Sequence, residues 1–350
     1  MKRFVLVLLF LSMLFSIGCN GVVSNTCEVK FIQDGQVVKS YSIAKGELLS
    51  VLDDVPLPIQ PLDDTLITEW NYNKSEKCLK DITISTITYT VGLQFLSYYS
   101  GIKNIRGYEV GSGYKGNATH IVIPDYYKGL PVIKIGDNAF DGTEEGNYTI
   151  KKVTLPKGLI EVGNSAFSYC RALAQVNIPK TVCSVGNRAF YNAPLTGTLE
   201  LSGEIEDIPT RSFQGTRFNR VILNEGTLEI GAHAFTTRFT ISEIILPSSI
   251  RKIDAVAFWQ QPIEKFFYKG TDIDWHFVEI DESIYPSEAE VDALSTYLEF
   301  GETGVKRAWL DKDGNQTSKI VYPKIYFYSE NKPTEQGNFW RFVNNEPTVW

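Results

Sequence analysis

The sequence predicts a mainly β solenoid, and three observations carry that prediction. An Ala-Phe dipeptide or near equivalent recurs at Ala139-Phe140, Ala166-Phe167, Ala189-Phe190, Ser212-Phe213, Ala234-Phe235 and Ala257-Phe258, spaced by 27, 23, 23, 22 and 23 residues. An apolar-x-apolar stretch ending in proline or a polar substitute stands between recurrences, as in Val153-Thr154-Leu155-Pro156, Val176-Asn177-Ile178-Pro179, Leu199-Glu200-Leu201-Ser202, Val221-Ile222-Leu223-Asn224 and Ile244-Ile245-Leu246-Pro247. A second short apolar pair follows, at Val162-Gly163, Val185-Gly186, Ile230-Gly231 and Ile253-Asp254. A period this regular means a stack of coils in which each unit buries its apolar face only against its neighbours.

Within a coil, strand alternation sends one set of side chains inward and the other out. The phenylalanine fills the core and the small alanine lets the backbone pass. Glycine in the second pair suggests a left-handed backbone, but Pro209 takes the equivalent place after Ile208, and proline cannot adopt positive φ. Those glycines are therefore expected to permit close packing between coils.

The chain opens with Lys2 and Arg3 before an apolar run from Phe4 to Ile17, too short to span a bilayer and long enough for the core of an export signal. Residues 1–18 are read as that signal and 19–26 as a tether. Ser16-Ile17-Gly18-Cys19 resembles a bacterial lipoprotein box, which implies lipid attachment at Cys19; Ser16 and Gly18 equally suit ordinary signal cleavage and plain secretion. The formal charge of −7 becomes −9 once Lys2 and Arg3 are removed, so no cationic excess remains to displace counterions from nucleic acid. Four cysteines remain beside Cys19. Export permits disulfides; Cys170 and Cys183 read as buried free thiols, and whether Cys27 and Cys78 bridge is left open.

Residues 27–90 form a small β-rich unit. Alternation at Glu28 to Ile32 and Val37 to Ile43 flanks Asp34-Gly35, a tight-turn dipeptide, and is followed by Pro56, Pro58, Pro61, Trp70 and an Ile-Thr-rich strand from Asp81 to Tyr89. This order resembles the β-grasp-like B-repeat module of internalin-type surface proteins, which implies a spacer or adhesive stalk. From Leu93 the solenoid region runs to Asp274. Its Gly111-Ser112-Gly113-Tyr114-Lys115-Gly116 matches a dinucleotide-binding pattern, but such a turn must open a helix. Here it runs into Thr119, Ile121, Val122 and Ile123, so a hairpin loop is expected. Residues 275–350 form a C-terminal cap region. Ser287 and Glu290 make a capping box for a helix over 288–299. Asp311-Lys312-Asp313-Gly314-Asn315 looks like a calcium loop, but Tyr322 stands where the twelfth-position acid belongs, and a hairpin turn is expected. Aromatics from Tyr326 to Trp350 suit the closing of a solenoid whose last coil would otherwise expose its core.

The repeat, of the form Ile-x-x-Ile-Gly-x-x-Ala-Phe with a preceding strand and proline, resembles the BspA-type leucine-rich repeat family of bacterial surface proteins. The segment Ile123-Pro124-Asp125-Tyr126-Tyr127-Lys128-Gly129-Leu130-Pro131 resembles the start of such arrays, and the aromatic tail their end. The resemblance implies a cell-surface protein engaged in adhesion or in binding host and matrix proteins.

Catalytic constellations do not emerge. His120, His233 and His276 are scattered and make no zinc pattern, and Gly163-Asn164-Ser165-Ala166-Phe167 lacks the last glycine of a nucleophile elbow. Glu200 and Glu243 lie two coils apart, near the separation of inverting glycosidase carboxylates, but in different columns. The reading is therefore a binding protein that is not an enzyme and takes no cofactor or metal. Coils in register would align Val122, Thr154, Asn177, Glu200, Ile222, Ile245 and Phe267 in one outward column. Its last three members form an apolar stripe beside Arg220, Glu243 and Lys265, the composition of a protein-binding patch. These six residues, Arg220, Ile222, Glu243, Ile245, Lys265 and Phe267, are the candidate site if the C-terminal region does not cover them. An extracellular or host protein is the expected partner; a glycan ligand or a scaffolding role in a surface complex is the alternative.

Overall fold

The structure, a computed structural model, describes residues 25–143, 149–237, 239–254, 256–258, 263–281, 299–301, 304–306, 309–310, 316–317, 324–334 and 337–350. The signal, Cys19, nearly all of the segment read as a helix over 288–299 and the loop Asp311 to Asn315 lie outside them. Among the described residues no helix is long and apolar enough to cross a membrane.

Asp34 and Gly35, at φ of 52° and 77°, make the tight turn between strands β1 (Thr26–Gln33) and β2 (Gln36–Ala44), because a two-residue hairpin needs left-handed backbone at both positions. With β3 (Leu66–Trp70) and β4 (Ile82–Thr90) they form a mixed sheet in the order β2-β1-β4-β3. Alternation along β1 buries Cys27, Val29 and Phe31 on one face, where Phe31 meets Tyr41, Trp70 and Tyr72 edge to face. Cys27 and Cys78 are both buried and free. The Cys27 thiol donates to the Cys78 carbonyl at 3.3 Å, and the Cys78 thiol to the Lys80 carbonyl at 3.4 Å. Cys170 is buried and Cys183 half-buried, both free.

A hairpin of β5 (Phe95–Ser100) and β6 (Ile105–Val110) leads to β7 (His120–Val122), β8 (Tyr126–Tyr127) and β9 (Leu130–Ile135). The glycine loop 111–116 does not turn a hairpin: β6 and β7 belong to different sheets. Tyr114, inside that loop, is buried against Phe140 at 5.6 Å between ring centroids, so the loop crosses from one sheet to the other and covers the first phenylalanine of the stack.

The coils then alternate between two columns of parallel strands. The first column takes β10 (Lys152–Thr154), β12 (Gln175–Val176), β14 (Thr196–Leu201), β16 (Arg217–Leu223), β18 (Ile241–Leu246) and β20 (Ile263–Tyr268). The second takes β11 (Glu161–Val162), β13 (Ser184–Val185), β15 (Asp207–Ile208), β17 (Glu229–Ile230), β19 (Lys252–Asp254) and β21 (Glu279–Asp281). A four-residue helix α1 (Asp272–Trp275), closed by a capping box with Thr271, follows β20. Two small hairpins, β22 (Glu299–Gly301) with β23 (Gly304–Lys306) and β24 (Trp309–Leu310) with β25 (Gln316–Thr317), precede β26 (Lys324–Tyr328), β27 (Phe339–Val343) and β28 (Glu346–Val349).

The Ala-Phe turns form the spine. Phe140, Phe167, Phe190, Phe213, Phe235 and Phe258 stack with successive centroids 5.2 to 5.6 Å apart and planes within 9°. Beside the rings runs a backbone ladder. The amide of Phe140 donates to the carbonyl of Ala166, Phe167 to Ala189, Phe190 to Ser212, Phe213 to Ala234 and Phe235 to Ala257, all at 2.7 to 2.9 Å. The acceptor is main chain, which is why Ser212 can stand in for alanine. The residue before the pair (Asn138, Ser165, Arg188, Arg211, His233) holds φ between 52° and 58°, so the left-handed position falls there rather than on the glycine. The glycines do permit close approach: a Cβ at Gly163 would lie 2.7 Å from the Gly136 carbonyl carbon, and one at Gly186 would lie 2.6 Å from that of Gly163.

Two substitutions test this spine by urea denaturation. Phe190→Ala removes a ring held between two others, and should cost about 3–5 kcal/mol. Ser212 carries a fully buried hydroxyl with no hydrogen-bond partner, so Ser212→Ala should stabilise by about 1–3 kcal/mol through relief of desolvation.

Candidate functional site: a cleft where the sheets break

The expected outward column forms in register on either side of a break between β12 and β14. Val122 pairs with Thr154, Glu200 with Ile222, Ile222 with Ile245 and Ile245 with Phe267, with Arg220, Glu243 and Lys265 paired alongside. As an open docking stripe, however, its C-terminal end is corrected: Ile245 and Phe267 are buried and Ile222 half-buried. They pack with Trp340, Tyr326 and Tyr328. The cause lies in the last strands, which continue the sheet in the order β14-β16-β18-β20-β26-β27-β28 and then roll back over it. Trp340 Nε1 donates to the Tyr268 carbonyl at 2.9 Å. Glu346 on β28 reaches Arg220 on β16 at 2.8 Å, and Arg220 also meets Glu243 at 3.4 Å. Arg220, Glu243 and Lys265 are half-buried at this seam.

The uncovered part of the face lies upstream. His120, Lys152, Gln175 and Thr198 in one column, and Thr154, Asn177 and Glu200 in the next, are exposed. The face is interrupted between β12 and β14. The first column divides into a sheet β12-β10-β7 and the longer sheet beginning at β14, and the second divides at the same joint, between β13 and β15. The phenylalanine spine continues across it, with Phe190 and Phe213 stacked at 5.4 Å. The coils are thus held mainly on the turn side; on the strand side the Thr196 amide and hydroxyl both reach the Ala174 carbonyl, at 3.3 and 3.4 Å, but no strand ladder follows.

Two irregularities stand beside the break. Pro194 lacks an amide hydrogen just before β14, and Gly197, at φ 88°, sits where the β14–β16 register shifts around the extra residue Asn219 on β16, a bulge in that pair. A cleft of about 480 Å³ opens there. Its rim is polar: Gln175, Asn177 and Lys180 from one coil, and Thr196, Thr198 and Glu200 from the next. Its floor is apolar, made by Val176, Ile178, Leu195, Leu199 and Phe218. The corresponding inward residues Val153, Leu155, Leu199, Leu201, Val221 and Leu223 are buried, whereas Val176 and Ile178 are half-exposed. The hydrophobic core therefore reaches solvent at this joint.

Glu200 guards one lip. Lys180 Nζ donates to it at 3.0 Å and Asn224 at 3.4 Å, and the Lys180 contact leads the interactions that hold its carboxyl below the usual range despite partial desolvation. It is thus ionised at neutral pH, an acceptor rather than a proton donor. On the other column the β5–β6 hairpin straps the joint. Lys103 pairs with Glu204 in the coil beyond it, and Tyr98 and Ser100 both donate to Glu161. Among the described residues no three His, Cys, Asp or Glu side chains gather as a metal site. Burial, and then Arg211 nearby, push the His233 imidazole below its ordinary range, and Glu200 and Glu243 stand in different columns with separate cationic partners.

With this geometry in view, comparison with known proteins finds a match to the repeats. Residues 133–264 match the model of the BspA type leucine-rich repeat region, in 6 copies. The repeated segment of this chain is thus similar to BspA-type leucine-rich repeats. Among solved structures, a leucine-rich cell surface protein of Faecalibacterium prausnitzii is similar at 22% identity and a TM-score of 0.45, over 69% of this chain and 63% of that one. A leucine-rich repeat protein of T. pallidum aligns at 20% identity and a TM-score of 0.36, over 50% of this chain and 82% of that one. One from Bacteroides ovatus aligns at 15% and 0.26, over 55% and 67%. The chain thus spans less than two thirds of the length of the Faecalibacterium protein. No curated protein matches the sequence.

The covering role of Trp340 is open to measurement. Trp340→Ala would expose Ile245 and Phe267, lower stability by about 3–5 kcal/mol and raise the fluorescence of an apolar dye such as anilinonaphthalene sulfonate.

Proposed function

We propose that this is an exported, lipid-anchored surface protein whose repeat array binds other proteins, with the cleft between β12 and β14 at the centre of the contact. The observation that carries the reading is the coincidence, at one joint, of exposed core and unladdered strand edges in the middle of a polar face. Interfaces join an apolar centre to a polar rim, and Val176, Ile178 and Leu199 with Gln175, Asn177 and Thr198 have that arrangement. An extended segment of the partner would lie along β14, its main chain meeting the strand edge and an apolar side chain entering the cleft. The stacked spine keeps the surface rigid, which limits the entropy lost on association. The expected partners are extracellular, host or matrix proteins. A glycan is the second reading, favoured by the amide and hydroxyl groups of the rim.

Two experiments test this. Capture of a panel of matrix proteins and glycans by residues 20–350 is compared with capture by Asn177→Arg/Thr198→Arg, which fills the rim at two exposed positions. Protein capture reduced at least tenfold with unchanged circular dichroism supports the cleft; undiminished capture moves the site elsewhere, and glycan capture alone favours the second reading. For the anchor, Cys19→Ala should release the protein from the membrane fraction and abolish fatty-acid incorporation; continued attachment would remove Cys19 from that role.

A further inference from the structure

A second surface lies on the N-terminal sheet. Between Val55 and Leu62 the chain reads Val-Pro-Leu-Pro-Ile-Gln-Pro-Leu, and three of its aliphatic side chains point to solvent: Leu57 is 92% exposed, Ile59 72% and Leu62 107%. Scattered exposed aliphatics are ordinary, but three within six residues of one proline-rich run concentrate apolar surface in one place, the kind of surface that marks a contact.

The strip is held in place from behind. Trp70 Nε1 donates to the Pro56 carbonyl at 2.6 Å. The side-chain amide of Gln33 brackets Ile59, donating to its carbonyl at 3.0 Å and accepting from its amide at 2.8 Å. Gln60 brackets Thr68 on β3 in the same way, at 2.9 and 3.0 Å. Pro56, Pro58 and Pro61 each fix φ. Backbone polar groups are thus satisfied inward while the apolar side chains are presented outward in a conformation set in advance. Gln60 also occupies main-chain groups at the outer edge of β3, so a partner at this point must read side chains rather than add a strand.

Charge states what kind of partner fits. Asp53 and Asp54 precede the strip, and Asp63 and Asp64 follow it. Lys39 answers Asp54, at 4.0 Å from its carboxylate and 2.6 Å from its carbonyl. Asp63 accepts from the amide and hydroxyl of Thr65. Neither Asp53, Asp63 nor Asp64 pairs with a lysine or arginine among the described residues.

We infer that Leu57, Ile59 and Leu62 form a docking strip for a protein partner that offers an apolar groove rimmed by lysine or arginine. Proline-stiffened extended segments are read in this way, by grooves that take their side chains with little loss of entropy. A second copy of this chain is the wrong complement, because a symmetric contact would bring the two aspartate pairs against each other. An anionic membrane is also the wrong complement, since its surface repels carboxylates.

The test places a photocrosslinker, p-benzoyl-phenylalanine, at position 62 of the full-length protein on cells, followed by mass-spectrometric mapping of the adduct. Leu62 is fully exposed, so this replacement leaves the fold intact. The expected result is a discrete adduct to another protein, mapped to an apolar surface flanked by lysine or arginine. Its yield should fall at least tenfold in Asp53→Lys/Asp64→Lys and in Leu57→Ser/Ile59→Ser, and stay unchanged in the cleft variant Asn177→Arg/Thr198→Arg. An adduct to a second copy, an adduct to lipid, no adduct, or a yield indifferent to the strip variants would each overturn the inference.

Discussion

Every strand in the repeat region depends on one contact repeated along the axis: a phenylalanine ring laid on the next, with its amide bonded to the carbonyl one coil ahead. A solenoid has no central core that all coils share. Its order must come from neighbour-to-neighbour terms, and here the ring stack and the backbone ladder coincide in the same dipeptide. The strand columns are secondary to that spine. They pair wherever local sequence allows, and at the joint after β12 they fail to pair while the spine continues.

Much of this was legible in the sequence because periodic demands leave periodic marks. The small residue before phenylalanine reports the passage of the backbone, and glycine after the second apolar residue reports contact with the preceding coil. Both follow from sterics that act within about 23 residues of chain. The left-handed residue before each Ala-Phe was not legible, since Asn138, Ser165, Arg188, Arg211 and His233 span four side-chain types. The acceptor ladder was equally silent, because main chain carries no residue code.

The candidate site divides along similar lines. Alternation placed Ile222, Ile245 and Phe267 in one column, as the pairing has it, but it could not place Trp340, which arrives from more than seventy residues downstream. Long-range coverage of this kind leaves no local signature beyond an aromatic-rich tail. Two residues unsuited to regular strand, Pro194 and Gly197, do fall beside the cleft inside one repeat. Against an otherwise regular period, such an irregularity is worth reading as a positive signal.

Because coils communicate only with their neighbours, the joint between β12 and β14 also divides the array mechanically. On one side lie the coils that β5 and β6 complete; on the other lie those locked by the rolled-back C-terminal strands. A pull along the axis would load the phenylalanine stack, the turn-side backbone bonds, the Thr196–Ala174 bond and the Lys103–Glu204 and Lys180–Glu200 pairs, without a continuous strand ladder beside them. The repeat region is in that sense two laddered blocks in series, joined by the ring stack and a few single ties rather than by continuous sheet.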